Sequence, residues 1–409
     1  MTRRKKGRKL PHLISWKIRR PHAEKNDKDE SVPDVIKIID RINQSYDTRR
    51  NIVTGRTEIR HCEAGPLWHE VNDEAINTLV VEFKSNKVYA NASSFNTIFN
   101  SKYVKIYDPI QAYLESLPSW DGRDRISELA KTITCQDVEL WDKYLRKWLV
   151  ALVRCSIRPD VTNQHILVLQ GPQGIGKTRW VHKLIPSVLQ NYFFTGKTDF
   201  EDQVFLAKLG RYFMIFLDEL DSYSGPKMAV VKSAITQEKI RYRPLYSSYD
   251  VEVPRRASFI AAINNEKFIH DESGSRRFLV VGCLSINHSH NIDMNMVFAQ
   301  AYHLAQDRKF IHHFSGVDQD QIEKNNSNHR VKDPADDLIE KYLQPCSADD
   351  PDAKFLTATE VLKKLSEKDV KLKTTANAIG LIMTRLKFGK TSDGTGDDKR
   401  YGYIVKTKK

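Results

Sequence analysis

The residues with the plainest chemical purpose are 171–178, GPQGIGKT, which satisfy G-x-x-x-x-G-K-[ST] at every fixed position. A polyphosphate concentrates negative charge in a small volume, and this pattern supplies what holds it. Gly171, Pro172, Gln173, Gly174, Ile175 and Gly176 form a loop whose backbone N–H groups turn inward, and a helix start beyond it adds a positive dipole end. Lys177 then reaches the β- and γ-phosphates, and Thr178 offers a hydroxyl to Mg²⁺. The apolar run 166–169 predicts a buried strand before the loop, and residues 179–184 predict a helix after it, which is the setting the motif needs. The expected ligands are ATP and Mg²⁺.

Hydrolysis needs further groups. Residues 213–217, FMIFL, read as a buried strand ending in Asp218-Glu219. With Thr178, Asp218 would hold the metal and its waters, and Glu219 would act as general base on the attacking water. Asp221 reads as a surface or capping residue. A second apolar strand, 257–263, ends at Asn264-Asn265, where Asn264 either sits beside the γ-phosphate or simply makes a turn. Arg276 and Arg277 precede a strand at 278–281. They are either a salt-bridged surface pair or guanidiniums that reach a neighbour's γ-phosphate. Between the acidic and Asn strands, residues 239–256 (KIRYRPLYSSYDVEVPRR) predict a hairpin mixing cations and rings. Arg241, Arg243, Tyr246 and Tyr249 suit a single nucleic-acid strand, while a solvated hairpin is the plainer alternative.

Around these groups the 409 residues leave room for two or three domains. No run approaches the roughly 18 apolar residues of a membrane span, and the basic N-terminus lacks an apolar signal core, so a cytoplasmic protein is expected. Five cysteines without C-x-x-C spacing read as reduced thiols. The net charge of +13 is uneven: residues 1–25 carry +9 and residues 354–409 carry +8, leaving −4 for the rest. Basic ends on an acidic centre point to a polyanion, most simply nucleic acid. The expected divisions are a basic arm at 1–33, an α+β domain at 34–135 with a strand at 77–83, the nucleotide core at 136–314, a linker with a short helix at 315–352, and a final domain at 353–409. In the last, two helices followed by a basic two-stranded hairpin read as a winged helix, with Lys387, Lys390, Lys399 and Arg400 on duplex phosphates.

NIVTGR (51–56), YLESLPSWDGRDRI (113–126), RKWLVALV (146–153), LVLQGPQGIGKT (167–178), FLDELD (216–221), RYRPLY, FIAAINN and DESGSRRF (271–278) follow one another in this order. Together they resemble the virulence-associated E family, replication-type ATPases of mobile genetic elements related to superfamily III helicases of the AAA+ class. The resemblance implies an α/β P-loop NTPase core between the small N-terminal domain and the winged helix. It implies that Asn264 is a nucleotide sensor, that Arg277, with Arg276 beside it, is a finger acting in trans, and that the hairpin lines a ring's channel around single-stranded DNA. It further implies a homo-oligomer, usually a hexamer. Many members carry a primase in front. Residues 34–120 show no spaced pair of metal-binding carboxylates, so priming is not expected here, and a separate primase is a candidate partner whose recruitment the sequence leaves open. The reading is an ATP-dependent DNA helicase or translocase in replication of a phage, plasmid or integrated element. The alternatives are an ATP-controlled origin-binding initiator and an AAA+ switch in defence or signalling.

Overall fold

The computed structural model describes residues 34–408 except 64, 197–198, 201, 224–225, 244–248, 270–274, 332–333, 370–371 and 395–398. The basic arm therefore lies outside the described residues.

The N-terminal domain joins helix Asp34–Ser45 to strands β1 (Tyr46–Asn51), β2 (Thr57–His61) and β3 (His69–Glu70). Helices Asp73–Ser85 and Ala92–Phe99 and strand β4 (Lys105–Tyr107) follow. The sheet runs β3-β2-β1-β4 over a core that includes Ile38, Phe83 and Phe95. The strand expected at 77–83 is helical instead. Asn72 accepts from the Ala75 amide as a cap, and Ile76, Leu79 and Phe83 are buried on one face.

The central domain carries β5 (Ile133–Cys135), β6 (Ile166–Gln170), β7 (Phe193–Thr195), β8 (Met214–Asp218), β9 (Lys239–Tyr242), β10 (Val251–Pro254), β11 (Ser258–Ile263) and β12 (Phe278–Ile286). Its six-stranded sheet has the order β5-β12-β6-β11-β8-β7. All pair parallel except β5, which runs antiparallel to β12. Parallel strands buried on both faces explain the unbroken apolar runs in the sequence. Leu167 and Leu169 pack with Trp148, Trp180 and Phe298 on one face. Ile166 and Val168 pack with Phe205 and Ile235 on the other. Helix Val138–Ile157, capped by Asp137, supplies Trp141, Tyr144, Leu145 and Trp148 to the first face.

The segment expected as a linker is built into both neighbours. Helix Val317–Ser327 buries Ile322 in the central core, and Asn326 Nδ2 donates to the carbonyls of Ser275 (2.7 Å) and Phe278 (3.0 Å). Helix Pro334–Tyr342 instead places Ala335 and Ile339 in the C-terminal core. The short helix expected within this segment is thus present, and its narrow apolar stripe anchors it. The C-terminal domain continues through β13 (Leu343–Pro345), β14 (Lys354–Leu356), helices Ala358–Lys368 and Ala376–Arg385, β15 (Gly389–Asp393) and β16 (Arg400–Thr407). Thr357 and Glu360 form a reciprocal capping box at the first of these helices. Strand β16 pairs with β13, β14 and β15. Among the described residues, no helix is long and apolar enough to cross a membrane.

Candidate active site

Parallel pairing delivers the C-terminal ends of β6, β8 and β11 to one edge of the sheet. Residues 171–176 leave β6, Asp218 ends β8, and Asn264 follows β11. Because β11 lies between β6 and β8, Asn264 stands between the glycine loop and the acidic pair.

The loop's shape follows from its glycines. Gly174 (φ +85°) and Gly176 (φ +98°) occupy the left-handed region. Gly176 starts helix Lys177–Leu184 without a side-chain cap, which leaves first-turn amides facing the loop. Gly171 is required for space: a Cβ there would lie 2.7 Å from the Cys283 carbonyl oxygen.

Lys177 is buried, and its Nζ donates to Gly171 O (2.7 Å), Pro172 O (2.8 Å) and Asn264 Oδ1 (2.9 Å). Burial pushes its pKa below the ordinary lysine value, while Cys283, Asp218 and Asp221 pull it back up. Thr178 Oγ1 donates to Asp218 Oδ2 at 3.3 Å, bringing together two hard oxygen groups of the kind Mg²⁺ takes. An uncapped helix start, an ammonium inside the loop and this oxygen pair fit a magnesium-bound polyphosphate. Glu219 is exposed at the strand end with φ +60°, a conformation that costs a non-glycine residue about 1 kcal/mol or more. Asp221, expected at the surface or in a cap, bridges strand ends by accepting from the Asn265 amide at 3.3 Å.

Arg276 and Arg277 lie at the other edge. Phe278 pairs with Ile166 and Gly282 with Gln170, so Arg277 precedes the end of β12 that is remote from the loop. At 3.3 Å per residue the separation along the strands is about 17 Å. The two arginines share a cavity of about 640 Å³ with Gln164, His165, His312 and His313. Burial, reinforced by Lys147, Arg277 and Arg276, pushes His165 down to about 4. Burial and Arg154 do the same for His312, also to about 4.

The hairpin β9–β10 forms a separate two-stranded sheet with Val251 opposite Tyr242. Arg241 is exposed and pairs with Asp250 (3.3 Å), the Arg243 amide donates to Gln203 Oε1 (3.3 Å), and Tyr249 is 80% exposed. Tyr246 lies outside the described residues. The closing arginines of the segment are structural: Arg255 is fully buried, and Arg256 pairs with Asp108 at 2.6 Å. In the C-terminal domain Lys387 and Lys390 are exposed. Lys399 lies over the Tyr401 ring, and Arg400 pairs with Asp393 (3.3 Å) and Glu360 (3.7 Å).

One residue beside the loop carried no signal in the sequence. His288, on the turn after β12, lies against Gly176, and only the fold brings the two together.

Comparison with solved structures finds one described as the apo structure of the NrS-1 C terminal region (305–718), 14% identical. It aligns with a TM-score of 0.51 over 92% of this chain and all of the other. Another form of that region is 12% identical, with a TM-score of 0.47 over 92% of this chain and all of the other. At this identity the first likeness concerns the fold, an α/β architecture shared along nearly the whole chain. No curated protein matches the sequence. The virulence-associated protein E-like domain matches residues 114–331. That stretch takes in the glycine loop, the acidic strand, Asn264 and the arginine pair, and the chain belongs to the virulence-associated protein E-like family.

Proposed function

We propose that the protein is an ATP-dependent DNA helicase or translocase serving replication of a mobile genetic element, built on a P-loop NTPase core of the AAA+, superfamily III type. The observation that carries this reading is the division of the site between two sheet edges. The glycine loop, Lys177, Thr178, Asp218, Glu219 and Asn264 gather at one, and Arg277 precedes a strand end about 17 Å away at the other, which supports a reading in which the arginine acts on a neighbour's site. A ring, in the simplest case a hexamer, supplies each site with its neighbour's arginine.

Residues 171–176 and the first turn of helix Lys177–Leu184 would hold the phosphates. Thr178 and Asp218 would hold Mg²⁺, which when bound supplies charge neutralisation at the phosphates. Lys177 then exchanges its loop carbonyls for phosphate oxygens. Glu219 takes the proton of the attacking water, and Asn264 orients that water. Single-stranded DNA would run past Arg241, Arg243, Tyr246 and Tyr249, and the C-terminal domain, as a winged helix, would meet duplex DNA through its exposed lysines.

Lys177→Ala should abolish ATP hydrolysis and strand displacement on forked DNA without unfolding the chain. Arg277→Ala should also be inactive alone. Mixing the two variants should restore part of the ATPase, because one contributes an intact loop and the other an intact arginine. Undiminished hydrolysis by Lys177→Ala would overturn the assignment. Full single-variant activity for Arg277→Ala would overturn the shared site.

A further inference from the structure

Gly176 is closed off from the side of β12. A Cβ placed on it would lie 2.4 Å from His288 Cδ2, 3.1 Å from Cγ and 3.3 Å from the His288 Cβ, so the imidazole rests directly on the glycine that starts the phosphate-facing helix. The ring is held there by a turn with few degrees of freedom. The Asn287 amide donates to Thr132 O at 2.8 Å, and the Ser289 amide donates to Asn287 Oδ1 at 3.2 Å. His290 plugs the turn: it is buried, and its Nδ1 accepts from the Ile292 amide at 3.3 Å. The same Thr132 also fixes the helix, because its hydroxyl accepts from Trp180 Nε1 at 2.7 Å. Thr132 thus contacts both the helix and the turn that carries the ring. Ser289 Oγ lies 3.2 Å from His288 Nδ1, and no described residue hydrogen-bonds Nε2.

The strand order says which end of a nucleotide this ring would meet. Asn264 and the Asp218 pair come from β11 and β8, on one side of β6. His288 comes from β12, on the other side. Lys177 leans toward the first side, with Nζ 2.9 Å from Asn264 Oδ1. The reacting γ end therefore belongs to the β11–β8 side, and the nucleoside end falls to the β12 side.

We propose that His288 is a nucleotide-binding residue that contacts the ribose and α-phosphate of the bound nucleotide, at the end opposite the chemistry. This rests on the ATP-site reading above and extends it. A contact at that end is common to the triphosphate and the diphosphate. Its loss weakens both alike and leaves turnover at saturation intact.

The test is titration of the full-length protein with Mg·ADP and Mg·ATP, the latter with steady-state kinetics, for wild type, His288→Ala, His288→Gln and Lys177→Ala. Loss of about one hydrogen bond predicts a 5- to 10-fold weaker Kd for ADP and a matching rise in KM for ATP in His288→Ala. Its kcat should stay within about twofold. His288→Gln, which keeps a donor near the same place, should recover much of the affinity, and matching thermal melts would exclude unfolding. Unchanged ADP affinity in His288→Ala, or a fall in kcat with KM unmoved, overturns the proposal. Failure of wild-type protein to bind either nucleotide overturns the ATP-site reading itself, which separates the two.

Discussion

Lys177 and Asn264, 87 residues apart in the chain, are joined by a 2.9 Å hydrogen bond from Nζ to Oδ1. The bond exists because β6 and β11 are parallel neighbours whose ends coincide, with Gln170 opposite Ile263. It places the Asn264 side chain at the loop's lysine, where the proposed role beside the γ-phosphate would need it.

That contact predicts a separation of binding from turnover. Asn264→Ala should lower ATPase kcat about 10- to 100-fold, the scale of losing one positioned polar group at a reacting centre. Nucleotide affinity should change little. Kinetics paired with equilibrium binding would check both halves.

Gly176 faces two separate restrictions, a φ of +98° and the His288 ring. Gly176→Ala should cost at least tenfold in nucleotide affinity, because the left-handed conformation alone costs an L-residue about 1–2 kcal/mol. Adding His288→Ala should relieve the contact and leave the backbone strain, so the double variant should still bind Mg·ADP more weakly than His288→Ala alone.

Arg255 is a fold determinant rather than a DNA contact. It donates to Asn163 O (2.6 Å), Gln237 O (2.8 Å), Ile235 O (2.8 Å) and Ala257 O, joining the lead-in to β6, the end of helix Pro226–Thr236 and the base of the hairpin. Arg255→Ala would strip several buried carbonyls of their donor at once. It should destabilise the protein by about 3 kcal/mol or more in urea unfolding.

His165 and His312 are held down to about 4 from the ordinary 6.5, mainly by burial. Between those values the unfolded chain binds more protons than the folded one. Stability is therefore full above about pH 6.5 and falls as the pH drops toward 4. His165 should contribute on the order of 1–2 kcal/mol of loss at pH 5, and His312, more exposed and more screened by solvent, less than that. Urea midpoints measured at pH 7 and pH 5 should differ accordingly, and His165→Gln should flatten the difference.

Some of this could be read along the chain and some could not. The glycine loop, the acidic strand and the long apolar helix ahead of them are local, with cause and effect a few residues apart. Residues 77–83 show the limit of local reading. Their apolar positions fit alternation as well as helical spacing, and the Asn72 cap with burial of Ile76, Leu79 and Phe83 decided for helix. Helix Val317–Ser327 was hidden for a related reason: mostly polar, it is held by a single buried Ile322 and by asparagine amides bonded to the carbonyls of Ser275, Val280 and Phe278.

By itself the sequence determined which groups could do phosphate chemistry, since a loop of glycines, a lysine and a threonine owes its use to covalent spacing. Tertiary structure decided which of these residues stand side by side. Strand order put Asn264 against Lys177 and His288 against Gly176, buried Arg255 and Arg256, and sent Arg277 to the far edge. The physical reason is that a parallel sheet brings strand ends together by pairing rather than by distance along the chain. Neighbours across the edge are therefore set by which apolar strands pack side by side, a choice made by the whole core.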